Sequence, residues 1–402
     1  MKNVPDIRFM SFDEEWNEQK AEVIFRQFIE KNRPDLPVLS ATQDRGMVTR
    51  KAIGYDISHD KRNECTYKHI LPGQFVIHLR SFQGGFAHSD IEGIASPAYT
   101  VFEFRDKNQH NDIFWKYIFS SKSFIKQLEK ITYGIRDGRS ISFDEFKEMK
   151  FFIPCVKEQH QIASYFRQLD IQISEQEKKI VKLKQLKSAC LISMFPQQGE
   201  TVPRVRFKGF DGEWKICELK QFAFKVTRKN CDKEFTKTFT NSAEFGVINQ
   251  NEYFDRTISN SENIGGYYVV ENNDYIYNPR VSTLAPVGPI NRNKLGYTGV
   301  VSPLYLVFKA NNIDKDYLDV FFNTNLWHRY MKLEGNCGAR FDRLSISDEL
   351  FFEMPIILPS NEAEQHQIAS YFRQLDIQIS EQEKRFEKLK QIKAACLDKM
   401  FV

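Results

Sequence analysis

The sequence predicts an α+β fold made twice: two mixed α/β domains joined by two long helices that form an intramolecular antiparallel coiled coil, a pseudo-twofold internal repeat. Three observations carry this. Residues 158–178 and 364–384 read the same 21 letters, EQHQIASYFRQLDIQISEQEK, and 31 of 38 positions match over 158–195 and 364–401. Apolar residues in both copies step by three and four, the period of a helix with one buried stripe. The segments before the two copies share ordered motifs but differ in most other residues. A two-copy repeat of this length is a domain duplication, because a solenoid needs three or more short units. The expected boundaries are 1–157 for the first globular domain, 158–198 for the central helix and linker, 199–363 for the second domain and 364–402 for the C-terminal helix.

Each unit opens alike. Val4-Pro5-x-x-Arg8-Phe9-x-x-Phe12-Asp13-x-Glu15-Trp16 returns as Val202-Pro203-x-x-Arg206-Phe207-x-x-Phe210-Asp211-x-Glu213-Trp214. Runs such as Gln74–Leu79 and Tyr275–Tyr277 read as strands bounded by Gly, Asn and Pro, within a curved, mostly antiparallel sheet. Ser96-Pro97-x-Tyr99 returns as Ser302-Pro303-x-Tyr305. Asn111 to Leu128 and Lys315 to Met331 each read as one amphipathic helix. Ser140-Ile141-Ser142 returns as Ser345-Ile346-Ser347.

The repeated helix has a seam of Ile162, Phe166, Leu169, Ile173, Ile180 and Leu183, continued by Leu186, Cys190 and Met194. Its second copy has Ile368, Phe372, Leu375, Ile379, Phe386 and Leu389, continued by Ile392, Cys396 and Met400. At 1.5 Å per residue each helix spans about 57 Å. A lone helix would leave this seam wet, so each copy is expected to seal the other. A pseudo-twofold relation makes the pair antiparallel, whereas a parallel pair would need a linker as long as the helix. Gln176 and Gln382 fall on the seam, either fixing register or sitting at its edge in water. Phe195-Pro-Gln-Gln-Gly-Glu-Thr-Val-Pro203 closes the first helix as a linker.

Composition narrows the function. Hydrophobic residues are 41% and charged residues 27%, as in a globular chain. No apolar run approaches a membrane span, no signal peptide stands at the N-terminus, and the seven scattered cysteines form no CxxC pair. These point to a reducing cytoplasm. The net charge of +4 permits nucleic-acid binding without demanding it. No GxxxxGK[ST] loop occurs; Asn278-Pro279-Arg280 lacks the second Pro and the aromatic of an amino-methyltransferase motif; Glu148-x-Lys150 is half a nuclease motif in a charged stretch. His160 and His366 are followed at i+4 by Ser164 and Ser370, not by metal-ligand partners. No catalytic or metal-binding residue is therefore assigned. A fused nuclease or methyltransferase would need such motifs.

What both domains do offer is polar, basic, glycine-bearing loops. Arg80, Gln83, His88, Arg136 and Arg139 stand in the first; Asn278, Arg280, Arg292, Lys294, Arg340 and Arg343 stand in the second. Arg, Asn, Gln and His can read base edges, glycines let backbone approach phosphate, and Arg and Lys neutralise it. These eleven are the candidate DNA-binding residues; ordinary solvated loops are the plainer reading of any one of them.

The ordered set resembles the DNA specificity subunit of type I restriction–modification systems. It comprises Pro-x-x-Arg-Phe-x-x-Phe…Trp, Ser-Pro-x-Tyr, Gly…Arg…Ser-Ile leading to Ile-Pro or Leu-Pro, and an EQ-x-x-Ile-A helix, all twice. The resemblance covers nearly the whole chain. It implies two target recognition domains held apart by an antiparallel coiled coil, each reading one half of a split, asymmetric site in double-stranded DNA. It also implies two modification (methyltransferase) subunits held by the helices, with restriction (translocase/nuclease) subunits outside. S-adenosylmethionine, ATP and Mg are then expected in those partners and no cofactor in this chain. Arg167, Lys178, Lys182 and Lys187, beside Glu175 and Glu177, are expected on the outer helix faces to help dock partners. The competing reading is a duplicated protein-binding scaffold without direct DNA readout.

Overall fold

The computed structural model describes residues 3–42, 45–53, 61–78, 85–131, 141–250, 264–337 and 342–402. Two compact units emerge: residues 1–178 with 383–402, and residues 179–382. Each holds one globular domain, the start of one long helix and the end of the other.

In the first unit a four-stranded antiparallel sheet has the order Phe25–Gln27, Thr100–Phe104, Phe75–Ile77, Phe86–His88. Aromatic and β-branched residues suit these pleated, buried positions. Side chains alternate across the sheet. Phe75, Ile77, Phe102 and Phe104 face an aromatic core with Phe25, Trp115, Phe119 and Phe146. Val76, Ala87 and Val101 face a smaller aliphatic cluster with Leu39, Met47 and Ile70. Two-stranded ladders flank the sheet: Leu39–Thr42 with Gly46–Thr49, Lys68–Ile70 with Gly93–Ala95, and Asn17–Lys20 with Lys150–Ile153.

The second unit repeats the plan. Its sheet has the order Ala223–Lys225, Leu306–Ala310, Tyr275–Tyr277, Ile290–Arg292. Tyr275, Tyr277 and Phe308 enter the main core, while Ile276 and Val307 face the aliphatic cluster. Trp16 and Trp214, the last letters of the repeated opening, are both 3% exposed and lie in the two main cores.

Two expected helices are each broken into two. Asn111 to Leu128 divides into Asp112–Ile118 and Lys122–Ile131, and Lys315 to Met331 into Lys315–Phe322 and His328–Glu334. Polar side chains compete with the helical backbone at each break. Ser121 Oγ accepts from Phe124 N at 3.2 Å, and Thr324 Oγ1 donates to Phe321 O at 2.7 Å and accepts from Leu326 N at 3.3 Å.

The turn before the third sheet strand uses the left-handed region in both copies, with Gly73 at φ 83° and Asn273 at φ 70°. The next residue braces it: Gln74 Oε1 accepts from Leu71 N at 2.8 Å, and Asp274 Oδ2 from Glu271 N at 2.8 Å. The amide does its work uncharged, whereas burial pushes the Asp274 carboxyl up to about 6. Between the unfolded value of about 3.9 and 6, the folded state keeps a proton that the unfolded chain releases. Stability of this unit therefore falls as pH rises through that window. Asp274→Asn is expected to be near neutral at pH 3 and to stabilise by roughly 1–3 kcal/mol at pH 7.5. Urea unfolding at the two pH values checks this; an equal effect at both would refute it.

The long helices run Val156–Ser193 and Glu362–Lys399, each starting two residues before its repeated letters. They pair antiparallel within both units. In the first, Tyr165 Oη lies 3.5 Å from Cys396 Sγ and Asp170 pairs with Lys393 at 2.5 Å. In the second, Tyr371 Oη lies 3.4 Å from Cys190 Sγ and Asp376 pairs with Lys187 at 2.5 Å. One index rises as the other falls, as antiparallel pairing requires.

The seam differs in detail from the expectation. Ile162, Phe166 and Leu169 sink into the first domain's core beside Met400 and Phe401, and Ile368, Phe372 and Leu375 into the second domain's core beside Met194 and Phe195. Ile180 and Ile379 are buried; Ile173, Leu183, Phe386 and Leu389 are half-buried. Leu186 and Ile392 are 45% and 37% exposed. A helix that must cover a domain at its start and a partner helix along its length turns more than one stripe inward. Gln176 is buried at 7%, not at a wet edge. Lys187, expected to face outward, is the cation of the Asp376 pair.

A buried bidentate pair seats each domain. Glu158 is fully buried and accepts from Arg8 Nε and Nη2, both at 2.7 Å. Glu364 is fully buried and accepts from Arg206 Nε at 2.7 Å and Nη2 at 2.8 Å. Ile7 N donates to Lys399 O at 3.0 Å as Val205 N donates to Ser193 O at 2.8 Å.

Candidate nucleic-acid interface

The second domain presents the described part of the candidate interface. Residues 278–289 link strands Tyr275–Tyr277 and Ile290–Arg292 and are locked from beneath. Asn241, 1% exposed, donates from Nδ2 to Ile276 O at 2.6 Å and Pro289 O at 3.0 Å, and its Oδ1 accepts from Asn291 Nδ2 at 2.8 Å. Asn278 Nδ2 donates to Asn241 O at 2.9 Å, and Asn278 Oδ1 accepts from Arg280 N at 3.0 Å. Tyr277 Oη donates to Val287 O at 3.0 Å. Gly288 has φ 84°, and a Cβ there would stand 2.1 Å from Asn278 O, so only glycine closes the loop. At its tip Leu284 is 70% exposed.

This loop pairs with the segment around Arg343. Val281 N donates to Asp342 O and Leu344 N to Pro279 O, both at 2.9 Å, which brackets an antiparallel bridge between Arg280 and Arg343. Such a bracketed pair is the non-hydrogen-bonded kind, with Cα atoms about 4.5 Å apart and side chains on one face. Both arginines are exposed, and like charges directly opposite destabilise a ladder. Among the described residues neither guanidinium has a carboxylate partner. Arg343 also lines a cleft of about 280 Å³ with Tyr268, Tyr305, Leu304 and Lys225.

The other expected residues divide. His88 is buried at 4%, its Nε2 2.8 Å from Asp112 Oδ2 and its Nδ1 3.5 Å from Asp90; the hydrogen bond from His88 holds the Asp112 carboxyl below the usual range. It is an internal brace, not a surface reader. Arg292 is the same brace in the second domain: its side chain is 9% exposed and pairs with Asp316 and, at 2.7 Å, with Asp319. Although burial opposes the charge, these carboxylates hold the Arg292 guanidinium above its ordinary value. Lys294 is exposed and pairs with Asp319 at 2.6 Å. Asn278 is half-buried, and its amide holds the loop. Arg80 and Gln83, Arg136 and Arg139, and Arg340 lie outside the described residues.

Sequence reasoning passed over Asn241, Gly288, Tyr268 and Tyr305. Tyr305 had a signal in the repeated Ser-Pro-x-Tyr. Asn241 had none, since the position 200 residues earlier is Ala41. Among the described residues no group of three or more His, Cys, Asp or Glu could hold a metal ion, and no helix is long and apolar enough to cross a membrane.

The fold is shared with solved structures at low identity. One, from work on complex assembly and conformational transition of the type I R-M system, is 16% identical, with 96% of this chain and 97% of that chain covered and a TM-score of 0.54. Another, the type I restriction-modification system S subunit from M. genitalium, is 12% identical, with 99% of each chain covered and a TM-score of 0.56. No curated protein compared with the chain matches it. The family model for the type I restriction modification DNA specificity domain matches twice, over residues 15–185 and 211–393. The chain therefore belongs to the type I restriction modification DNA specificity domain family, with two copies of that domain and a DNA-specificity role.

Proposed function

We propose that this chain is the non-catalytic, sequence-specific DNA-binding subunit of a type I restriction–modification complex, each globular domain reading one half of a bipartite asymmetric site. The observation that carries this is the locked loop that holds Arg280 against Arg343 on an exposed face, in a chain carrying two specificity domains on equivalent seats. Phosphate contacts supply affinity, and base-edge contacts supply sequence preference. The paired helices set the unread spacer and offer their outer faces, with Arg167, Lys178 and Lys182, to two methyltransferase subunits. S-adenosylmethionine, ATP and Mg belong to the methyltransferase and restriction partners, and the assembly works in the cytoplasm. Arg80, Gln83, Arg136, Arg139 and Arg340 are proposed as further DNA contacts.

Modular reading is tested by exchange. Residues 199–359 are replaced by the corresponding domain of another family member, and the methylated motif is sequenced in a host that supplies the methyltransferase. One half-site is expected to change while the other half and the spacer stay. A change in both halves would refute separate reading, and a chain that binds no DNA with its partner would favour the protein-binding scaffold.

A further inference from the structure

Resting on that reading, we infer that Arg280 and Arg343 are specificity-determining residues, and that they read guanine in the half-site of the second domain. Each guanidinium presents only donors in a planar fork. In the major groove guanine offers two adjacent acceptors, O6 and N7, whereas adenine pairs an acceptor with a donor. Two opposed arginines therefore select an acceptor-rich edge and reject one that carries a donor. The strand pairing sets their Cα atoms about 4.5 Å apart, close to the 3.4 Å step between base pairs, so the two forks can address neighbouring bases.

A phosphate would also neutralise this pair, but the surroundings favour base edges. Asn241, Asn278, Tyr277 and Gly288 fix the loop backbone, a precision that a bare charge contact does not need. Apolar Leu284 and Leu304 are 70% and 57% exposed; such side chains suit thymine methyls and base faces rather than phosphate oxygens. With no carboxylate partner for either guanidinium among the described residues, the repulsion between them is relieved when an anionic or acceptor-rich surface arrives.

The test uses the full chain with its methyltransferase partner. The bipartite motif is found by methylome sequencing, and domain exchange assigns its second half-site. Binding is then measured to duplexes varied at each position of that half-site, for the parent chain, Arg280→Lys and Arg343→Lys. Lysine keeps the charge and loses the fork. The expected result is a half-site containing guanine, with one or both variants losing about ten- to a hundredfold of discrimination at a guanine position while binding to non-cognate duplex changes less than about threefold. A second half-site without guanine overturns the inference. So do lysine variants that keep the parent preference at every position while Arg280→Ala/Arg343→Ala weakens all duplexes alike, which would make the pair a phosphate clamp. Both of those outcomes leave DNA reading by the second domain intact, whereas a parent complex with no sequence preference removes the underlying reading itself.

Discussion

Replacing Arg206 by alanine is expected to destabilise the second unit by about 3–5 kcal/mol, the usual cost of stranding one partner of a buried ion pair. Glu364 is fully buried, and Arg206 satisfies both of its oxygens while donating also to Gly212 O at 2.6 Å and Asp211 O at 2.8 Å. The hydrogen bond to Glu364 holds the Arg206 guanidinium above its ordinary value, so arginine keeps its charge throughout the working pH range. Alanine removes the cation and leaves a buried carboxylate without its partner. The check is a double variant. Arg206→Ala/Glu364→Leu takes away the stranded charge as well, and its denaturation midpoint should recover much of the loss, because apolar replacement of a buried pair is often neutral or better. A double variant no more stable than Arg206→Ala would show that the pair acts through the loop carbonyls instead.

Gly288→Ala is expected to disable reading of one half-site without unfolding the domain. A left-handed alanine costs about 1–3 kcal/mol in backbone strain, and its Cβ would meet Asn278 O at 2.1 Å. Neither that carbonyl nor its neighbour can yield in place, since Asn278 is tied to Asn241. The loop must move, and Arg280 with it. Gly296→Ala is the control: φ is 82° there as well, but no atom lies within 4 Å of the added Cβ. Both variants should carry the left-handed strain and Gly288→Ala the clash as well, and only Gly288→Ala should lose preference for the cognate second half-site in duplex binding. Equal loss of preference in both would assign the effect to stability alone.

The long helices were legible because a 21-letter repeat with a 3.6-residue stripe leaves little freedom in what it can form. The antiparallel direction was legible from the duplication. How each helix divides its apolar residues between a domain and a partner helix was not, since both contacts use the same residue types. The candidate surface was legible only in part. Arg280 and Arg343 look in sequence like any basic loop residue, and so do His88 and Arg292. What separates them is a carboxylate 24 residues downstream in each copy, Asp112 for His88 and Asp316 for Arg292. That acid becomes a neighbour only when the helix folds back on the sheet, and no local pattern marks it. The broken helices failed for a local reason: Ser121 and Thr324 form turns that compete with an otherwise helical apolar period.

The two seats have a consequence for how a target is encoded. Arg8–Glu158 and Arg206–Glu364 are the same joint, and each seat is completed by the start of one helix and the end of the other. Whichever domain fills either place meets the same ion pair and the same backbone bond. A reader is therefore constrained at its edge, by one arginine and one backbone amide, while its loops are left free to vary.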